Sequence, residues 1–455
     1  MKPFPPPLII GDTEGFTDEK DLFSRKSVGE GMTNLLTRIS EPLTVAVDGQ
    51  WGSGKTTFLK MWAGELRKRD IPVAYFDAFA NDHADDAFSA IAHCLISLTR
   101  QYETKSSTIT RSFAASASGI ARLVGSGVLK AGLRIATQGL VDEKDVVEWV
   151  KIAQEEASGV TDKIVDDLLA EQESRDTLML AFRQALESLP SALSHAKGSD
   201  GSSKPLIIIV DELDRCRPTF AGEVLERIKH FFSVPNTHFV LGLHSLQLQN
   251  SIRTVYGRDI DAARYLEKFI HLSVFLVDDK RALPQRNVNK YLEHWKQRMG
   301  FSAQEASDFH NASDLVVHVA EANRLSIRSI ERILSNLSLA VSTAPREWFR
   351  FSDLIAGLSI LKATHAELYV KAKEGTLRWE EAQTALALNV HVIDDLKGSI
   401  NSAERWWKHC LNEQKDSEID RWLSAEFRGS QRAVIPYVAA QTLDFWSERD
   451  VTQAR

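Results

Sequence analysis

The run Gly49-Gln50-Trp51-Gly52-Ser53-Gly54-Lys55-Thr56 carries glycines, a lysine and a hydroxyl at the spacing G-x-x-x-x-G-K-[ST]. That spacing suits one task, which is to cradle a chain of phosphates. Glycines let the backbone curl until successive N–H groups point at one anion. A helix that opens at the same place adds its positive N-terminal end. Lys55 supplies a mobile charge for the outer phosphates, and the Thr56 hydroxyl is a hard oxygen suited to Mg2+. Gly49, Trp51, Gly52, Ser53, Gly54, Lys55, Thr56 and Thr57 are therefore the expected nucleotide-binding residues. The alternative, a glycine-rich turn with an incidental lysine, would not explain the flanks: an apolar run, Leu43–Val47, precedes the loop and helical periodicity over Thr57–Lys68 follows it.

A second chemical signal lies far downstream, where Pro205-Leu-Ile-Ile-Ile-Val210 runs into Asp211-Glu212. A buried strand that ends in acids delivers carboxylates to the C-terminal edge of a sheet, where open α/β sheets bind ligands. Asp211 is expected to hold Mg2+ together with Thr56, and Glu212 to orient or deprotonate the attacking water. Lys55, Asp211 and Glu212 form the expected catalytic set. Acids that merely cap a strand at the surface are common, but less so beside a phosphate loop.

Positioning these groups requires strands. Five β-branched apolar runs, Leu43–Val47, Val73–Phe76, Leu206–Val210, His238–Leu243 and Ile270–Leu276, stand among helical stretches. Strands alternating with helices predict an α/β fold with a parallel sheet, because parallel neighbours need crossover connections. The resulting division is a core of residues 1–100 and 201–277, interrupted by a mostly helical insertion at 101–200. A helical lid-like region over 278–345 and a tryptophan-rich helical domain over 346–455 complete it. Seven of the ten tryptophans lie beyond residue 277, and core packing is the expected role for most of them.

Of 455 residues, 43% are apolar and 26% charged, so a full core can form and global disorder is excluded. The net charge of −7 argues against coating nucleic acid through bulk positive charge, while leaving local basic contact open. In 101–140 five basic residues face Glu103 alone, and 141–200 carries 14 acids against six bases. The basic part is either a mobile loop or a surface for a partner, nucleic acid or a membrane. Basic residues interrupt the stretch 109–141 well short of the ~20 apolar residues a span needs. Cys94, Cys216 and Cys410 lie far apart with no CxxC pair. A reducing cytoplasm is the expected compartment.

Gly49–Thr56 with its internal Trp51, Asp211-Glu-Leu-Asp-Arg-Cys216 and Tyr265-Leu-Glu-Lys-Phe269 together resemble the KAP family of P-loop NTPases. Phe23-Ser-Arg-Lys-Ser and Tyr75-Phe-Asp-Ala-Phe79 agree, and the resemblance spans roughly residues 10–340. It implies an ATP-hydrolysing fold with an extra strand between phosphate loop and acidic strand, giving the order 5-1-4-3-2. It also implies ATP and Mg2+ as cofactors. Asp214 is implied as an acid supporting the site. For Arg215, either pairing with Asp214 or reaching a neighbouring subunit's phosphate fits, and a structural salt bridge fits too. His244 occupies the place of a γ-phosphate sensor, although the family more often has an acid there, and a plain strand-end histidine is the other reading. Lys268 is a weaker candidate. Arg328 and Arg332 share a helix face, either over the nucleotide or in solvent.

The expected function is therefore an ATPase that turns nucleotide state into a conformational or assembly change in protein partners, as a homo-oligomer or hetero-complex. Bacterial relatives of such chains sit beside nuclease or nucleotide-modifying effectors in anti-phage defence, which is the setting the resemblance implies. The alternatives are a nucleotide-dependent scaffold with negligible turnover and a membrane-surface ATPase.

Overall fold

The computed structural model describes residues 8–84, 86–101, 113, 116–117, 165–196, 204–276, 284–343, 351–390, 393–426 and 434–444. Most of the basic segment 101–140 lies outside them. The chain divides into two compact units: Ile9–Gly49 with Gly54–Leu276, and Val277–Arg455 with Met1–Leu8 and Gln50–Ser53.

The first unit is a five-stranded parallel sheet, with helices on both faces. In chain order it contains α1 (Lys26–Leu36), β1 (Leu43–Asp48), α2 (Lys55–Lys68), β2 (Val73–Asp77), α3 (Ala87–Gln101), α4 (Val165–Ala196) and β3 (Leu206–Asp211). There follow α5 (Pro218–Phe231), β4 (Thr237–Leu243), α6 (Ser245–Tyr256), α7 (Ala262–Leu266) and β5 (Leu272–Phe275). The strand order is β2-β3-β4-β1-β5, the predicted order read from the opposite edge. All pairings are parallel, with Asp77 opposite Asp211 and Asp48 opposite Leu243.

Side chains alternate between two cores, which is why the runs are apolar throughout. Val45, Val47, Val73, Ile207, Ile209 and Val240 pack with Phe58, Leu59 and Trp62 of α2. Ala46, Ala74, Phe76, Ile208, Val210 and Leu241 pack with α3, α5 and α6. At ~25 cal/mol per Å2, a fully buried Val or Ile contributes about 1.5–3 kcal/mol, and this two-sided burial is what sets the strands' register. The fifth strand is shorter than Ile270–Leu276 because the Ile270 N–H closes the turn after α7 by donating to Leu266 O (3.0 Å).

The second unit is helical: α8 (Pro284–Met299), α9 (Ala303–Ala322), α10 (Ile327–Thr343), α11 (Ser352–Thr364), α12 (Ala366–Glu374), α13 (Trp379–Ala385), α14 (Lys397–Cys410), α15 (Ser417–Glu426) and α16 (Val434–Thr442). Its described tryptophans are core residues. Trp295, Trp379 and Trp407 are buried, and Trp406 and Trp422 meet Phe351 edge-on. Among the described residues no helix is long and apolar enough to cross a membrane. The stretch 109–141 lies almost wholly outside them.

Candidate nucleotide site

A parallel sheet sends every strand's C-terminus to one edge. There β1 delivers the phosphate loop and β3 delivers the acids. The loop turns on Gly52 (φ 79°) and Gly54 (φ 83°), in the left-handed region that a side chain disfavours. Gly54 caps α2 and its carbonyl accepts from Phe58 N (3.0 Å), so the helix opens directly at Lys55. The loop's entry is tied down, because Gly49 N donates to Leu243 O at the end of β4 (3.3 Å). Trp51 is exposed, whereas Lys55 is buried.

Lys55 Nζ donates to Gly49 O (2.6 Å), which folds the ammonium back over the loop. Burial lowers its pKa, and the charge of Asp214, followed by that of Asp211, works against that shift. Asp214 sits buried in the short 3-10 turn Leu213–Arg215 that follows β3. Its charge reaches the loop lysine.

Asp211 is 1% exposed, and burial raises its pKa while Tyr75, Thr56 and the Glu212 N–H pull it down. The Tyr75 hydroxyl donates to Oδ2 (2.6 Å) and the Glu212 N–H to Oδ1 (2.9 Å). Room for the carboxylate comes from Gly242 on β4, where an added Cβ would lie 2.5 Å from Asp211 Oδ1 and 2.6 Å from Leu59 Cδ1.

Glu212 has φ 59° and ψ 28°, a left-handed conformation that costs a non-glycine residue about 1–2 kcal/mol. The turn is held from both sides, by its N–H on Asp211 and by Arg215 N donating to its carbonyl (3.1 Å). Its side chain accepts from Thr56 Oγ1 (3.4 Å) and pairs with Arg215 (2.7 Å). Burial raises the Glu212 pKa and the Arg215 charge opposes that. Arg215 thus makes an ion pair with Glu212.

Among the other candidates, His244 follows β4 as the residue before α6. Its neighbour Ser245 binds Asp48 at the end of β1 twice, through N–H to Oδ1 (3.0 Å) and hydroxyl to Oδ2 (2.6 Å). His244 is therefore carried to the edge where the loop begins. Lys268 is not brought there. It precedes β5, at the opposite end of the strands, with its ammonium 4.9 Å from the Tyr265 ring. In the helical unit Arg328 and Arg332 are both exposed on α10. An added Cβ on Gly52, grouped with that unit, would come 2.6 Å from Arg328 Cβ.

Sequence reasoning missed Tyr75, Gly242 and the Asp48–Ser245 tie. It also says nothing of cavities: one of about 390 Å3, lined by Lys60, Arg67, Tyr75 and Cys94, lies beside β2 rather than at the loop.

Thr56 and Asp211 offer a hydroxyl and a carboxylate, the hard oxygens that Mg2+ prefers. Among the described residues no group of three or more His, Cys, Asp or Glu side chains gathers for a metal.

A solved structure titled as the Aeropyrum pernix ORC2 protein (ADPNP-ADP complexes) matches at 13% identity, covering 84% of this chain and 94% of that one, with a TM-score of 0.33. A search of curated proteins finds no match. The KAP family P-loop domain matches residues 26–353, well over half of the chain, and the chain belongs to that family.

Proposed function

We propose that this chain hydrolyses ATP with Mg2+, and that hydrolysis drives a conformational or assembly change in a complex with protein partners. One observation carries the reading: residues 156 positions apart, Thr56 and Glu212, meet at 3.4 Å, with Asp211 and Lys55 beside them. Phosphoryl transfer asks for positioned charge more than for covalent chemistry, and this edge supplies it. Loop N–H groups and Lys55 hold the phosphates. Thr56 and Asp211 would hold Mg2+, which when bound neutralises phosphate charge. Glu212 takes a proton from the attacking water at a carboxylate oxygen, once Arg215 releases it. A scaffold without turnover would have no need of Glu212 in so costly a backbone conformation.

For the setting, we infer bacterial anti-phage defence, with the effector activity supplied by a nuclease or nucleotide-modifying partner. The support is the resemblance in Asp211–Cys216 and Tyr265–Phe269, together with intact ATPase residues in a chain that shows no effector motif of its own. Phosphate release from Mg-ATP, compared with Lys55→Ala, tests the chemistry. The variant is expected to lose at least ~100-fold, and release equal to the variant's, with or without co-purified partners, rejects the ATPase. Pull-downs with and without ATP test the partner.

A further inference from the structure

We propose that Tyr75 is a positioning residue for the Asp211 carboxylate, fixing it in the orientation that faces Thr56. The inference rests on the ATPase reading above and gives that site a residue from the outermost strand.

Register brings the two together. Tyr75 pairs with Ile209 on β3, and Asp211 lies two residues further along the same strand. Residues two apart project from one face, so Tyr75, Ile209 and Asp211 all stand on the α2 side. Tyr75 packs against that face's core, and its hydroxyl reaches across the strand gap to Oδ2 at 2.6 Å. Oδ1 is meanwhile held by Glu212 N–H, and Gly242 leaves room only for the carboxylate itself. Each carboxylate oxygen thus has its own fixed donor.

The phenol stays a donor. An ionised carboxylate can only accept, so the phenol is the donor in this pair. A tyrosine used only for packing would leave Asp211 indifferent to its hydroxyl, and phenylalanine would serve as well. A tyrosine used for positioning makes the buried Oδ2 depend on that O–H. Without the bond, the carboxylate plane can turn on its Cβ–Cγ axis away from the orientation that the two donors fix. Partners that orient a metal-holding carboxylate in this way typically govern metal affinity by 10–100-fold.

The test is Mn2+ binding, followed by the electron paramagnetic resonance of the free ion at saturating ADP. Tyr75→Phe is expected to weaken Mn2+ about tenfold. ADP affinity measured in EDTA should match wild type, which a general loss of structure would not allow, while the thermal midpoint falls modestly because Asp211 Oδ2 loses its donor. Equal Mn2+ affinity in a folded Tyr75→Phe overturns the inference while leaving the ATPase reading intact. Wild type that binds Mn2+ and ADP no better than Lys55→Ala sinks that reading, and this inference with it. Should Tyr75→Phe fail to fold, 3-fluorotyrosine at position 75 keeps the ring and hydroxyl. Its fluorine resonance should then move when Mg2+ is added to the ADP complex, and an unmoved resonance overturns the inference.

Discussion

Each unit draws an aspartate out of water, Asp211 fully and Asp353 partly, and the two are treated differently. On the sheet edge Asp211 has a donor on each carboxylate oxygen, and its charge bears on the loop lysine. In the helical unit Asp353, in the first turn of α11, accepts from Ser402 Oγ on α14 (2.8 Å) and feels the like charge of Asp314. Burial raises both. The first arrangement aims a carboxylate with fixed donors, which is useful only if something binds there. The second tolerates a half-buried carboxylate beside a packed helical core. Each unit also clears space with one glycine, Gly242 for Asp211 and Gly357 for the Trp407 ring, where an added Cβ would lie 2.7 Å from Cε2 and 2.8 Å from Nε1. Burial that serves chemistry and burial that serves packing should therefore respond differently to small changes.

The largest effect is expected where the chemistry is most direct. Glu212→Gln keeps the shape of the side chain and removes its basicity. Phosphate release should fall by ~10^2–10^4-fold, the usual weight of a general base, with ADP affinity unchanged. A variant that retains wild-type turnover would mean that Glu212 is only a partner for Arg215.

The two glycines sharpen the contrast. An extra methyl in a packed interior costs about 1–3 kcal/mol wherever it is placed. Gly357→Ala should spend that cost on the helical unit, lowering the unfolding midpoint while Mn2+ and ADP affinities stay as they were. Gly242→Ala should instead push against Asp211 and Leu59, so Mn2+ affinity falls about tenfold or more even where the protein remains folded. If both variants change only stability, the sheet edge is being packed rather than aimed.

Much of the first unit can be read without coordinates, for a physical reason. A strand buried on both faces leaves a continuous apolar run, so β1 to β4 lie within a residue of their predicted bounds. The phosphate loop is equally legible, because Gly52 and Gly54 take backbone angles that other residues avoid. Relations across the sheet are another matter. Tyr75 sits inside an apolar run and reads as core, and its partner is 136 residues away. Ser245 and Asp48 are 197 apart, and only the β1–β4 register makes them neighbours. Lys268 shows the converse, since a motif can be recognisable and still lie at the wrong end of its strand. The order of the strands came from family resemblance, not from periodicity, which carries no information about neighbours.

The smallest effect belongs to Asp353, and its sign follows from the direction of its pKa. Burial raises the folded-state value from the ordinary 3.8 to about 6, with Ser402 pulling the other way and Asp314 adding to the rise. The folded chain therefore holds this proton more tightly than the unfolded chain does. That contribution is fully present below pH ~4 and is lost as pH rises through about 6, above which a buried charge opposes folding. Asp353→Asn keeps an oxygen for Ser402 and carries no charge at any pH. At pH 7.5 it should stabilise the protein by roughly 1–3 kcal/mol, the scale set by a shift of this size at 1.36 kcal/mol per pKa unit. Denaturant unfolding at pH 7.5, 6.0 and 4.5 should show that advantage shrinking in step with pH. Asp211→Asn offers the decisive contrast, since it should abolish Mn2+ binding whatever it does to stability. An Asp353→Asn advantage independent of pH would mean that the gain comes from packing, and the two buried aspartates would then differ only in their neighbours.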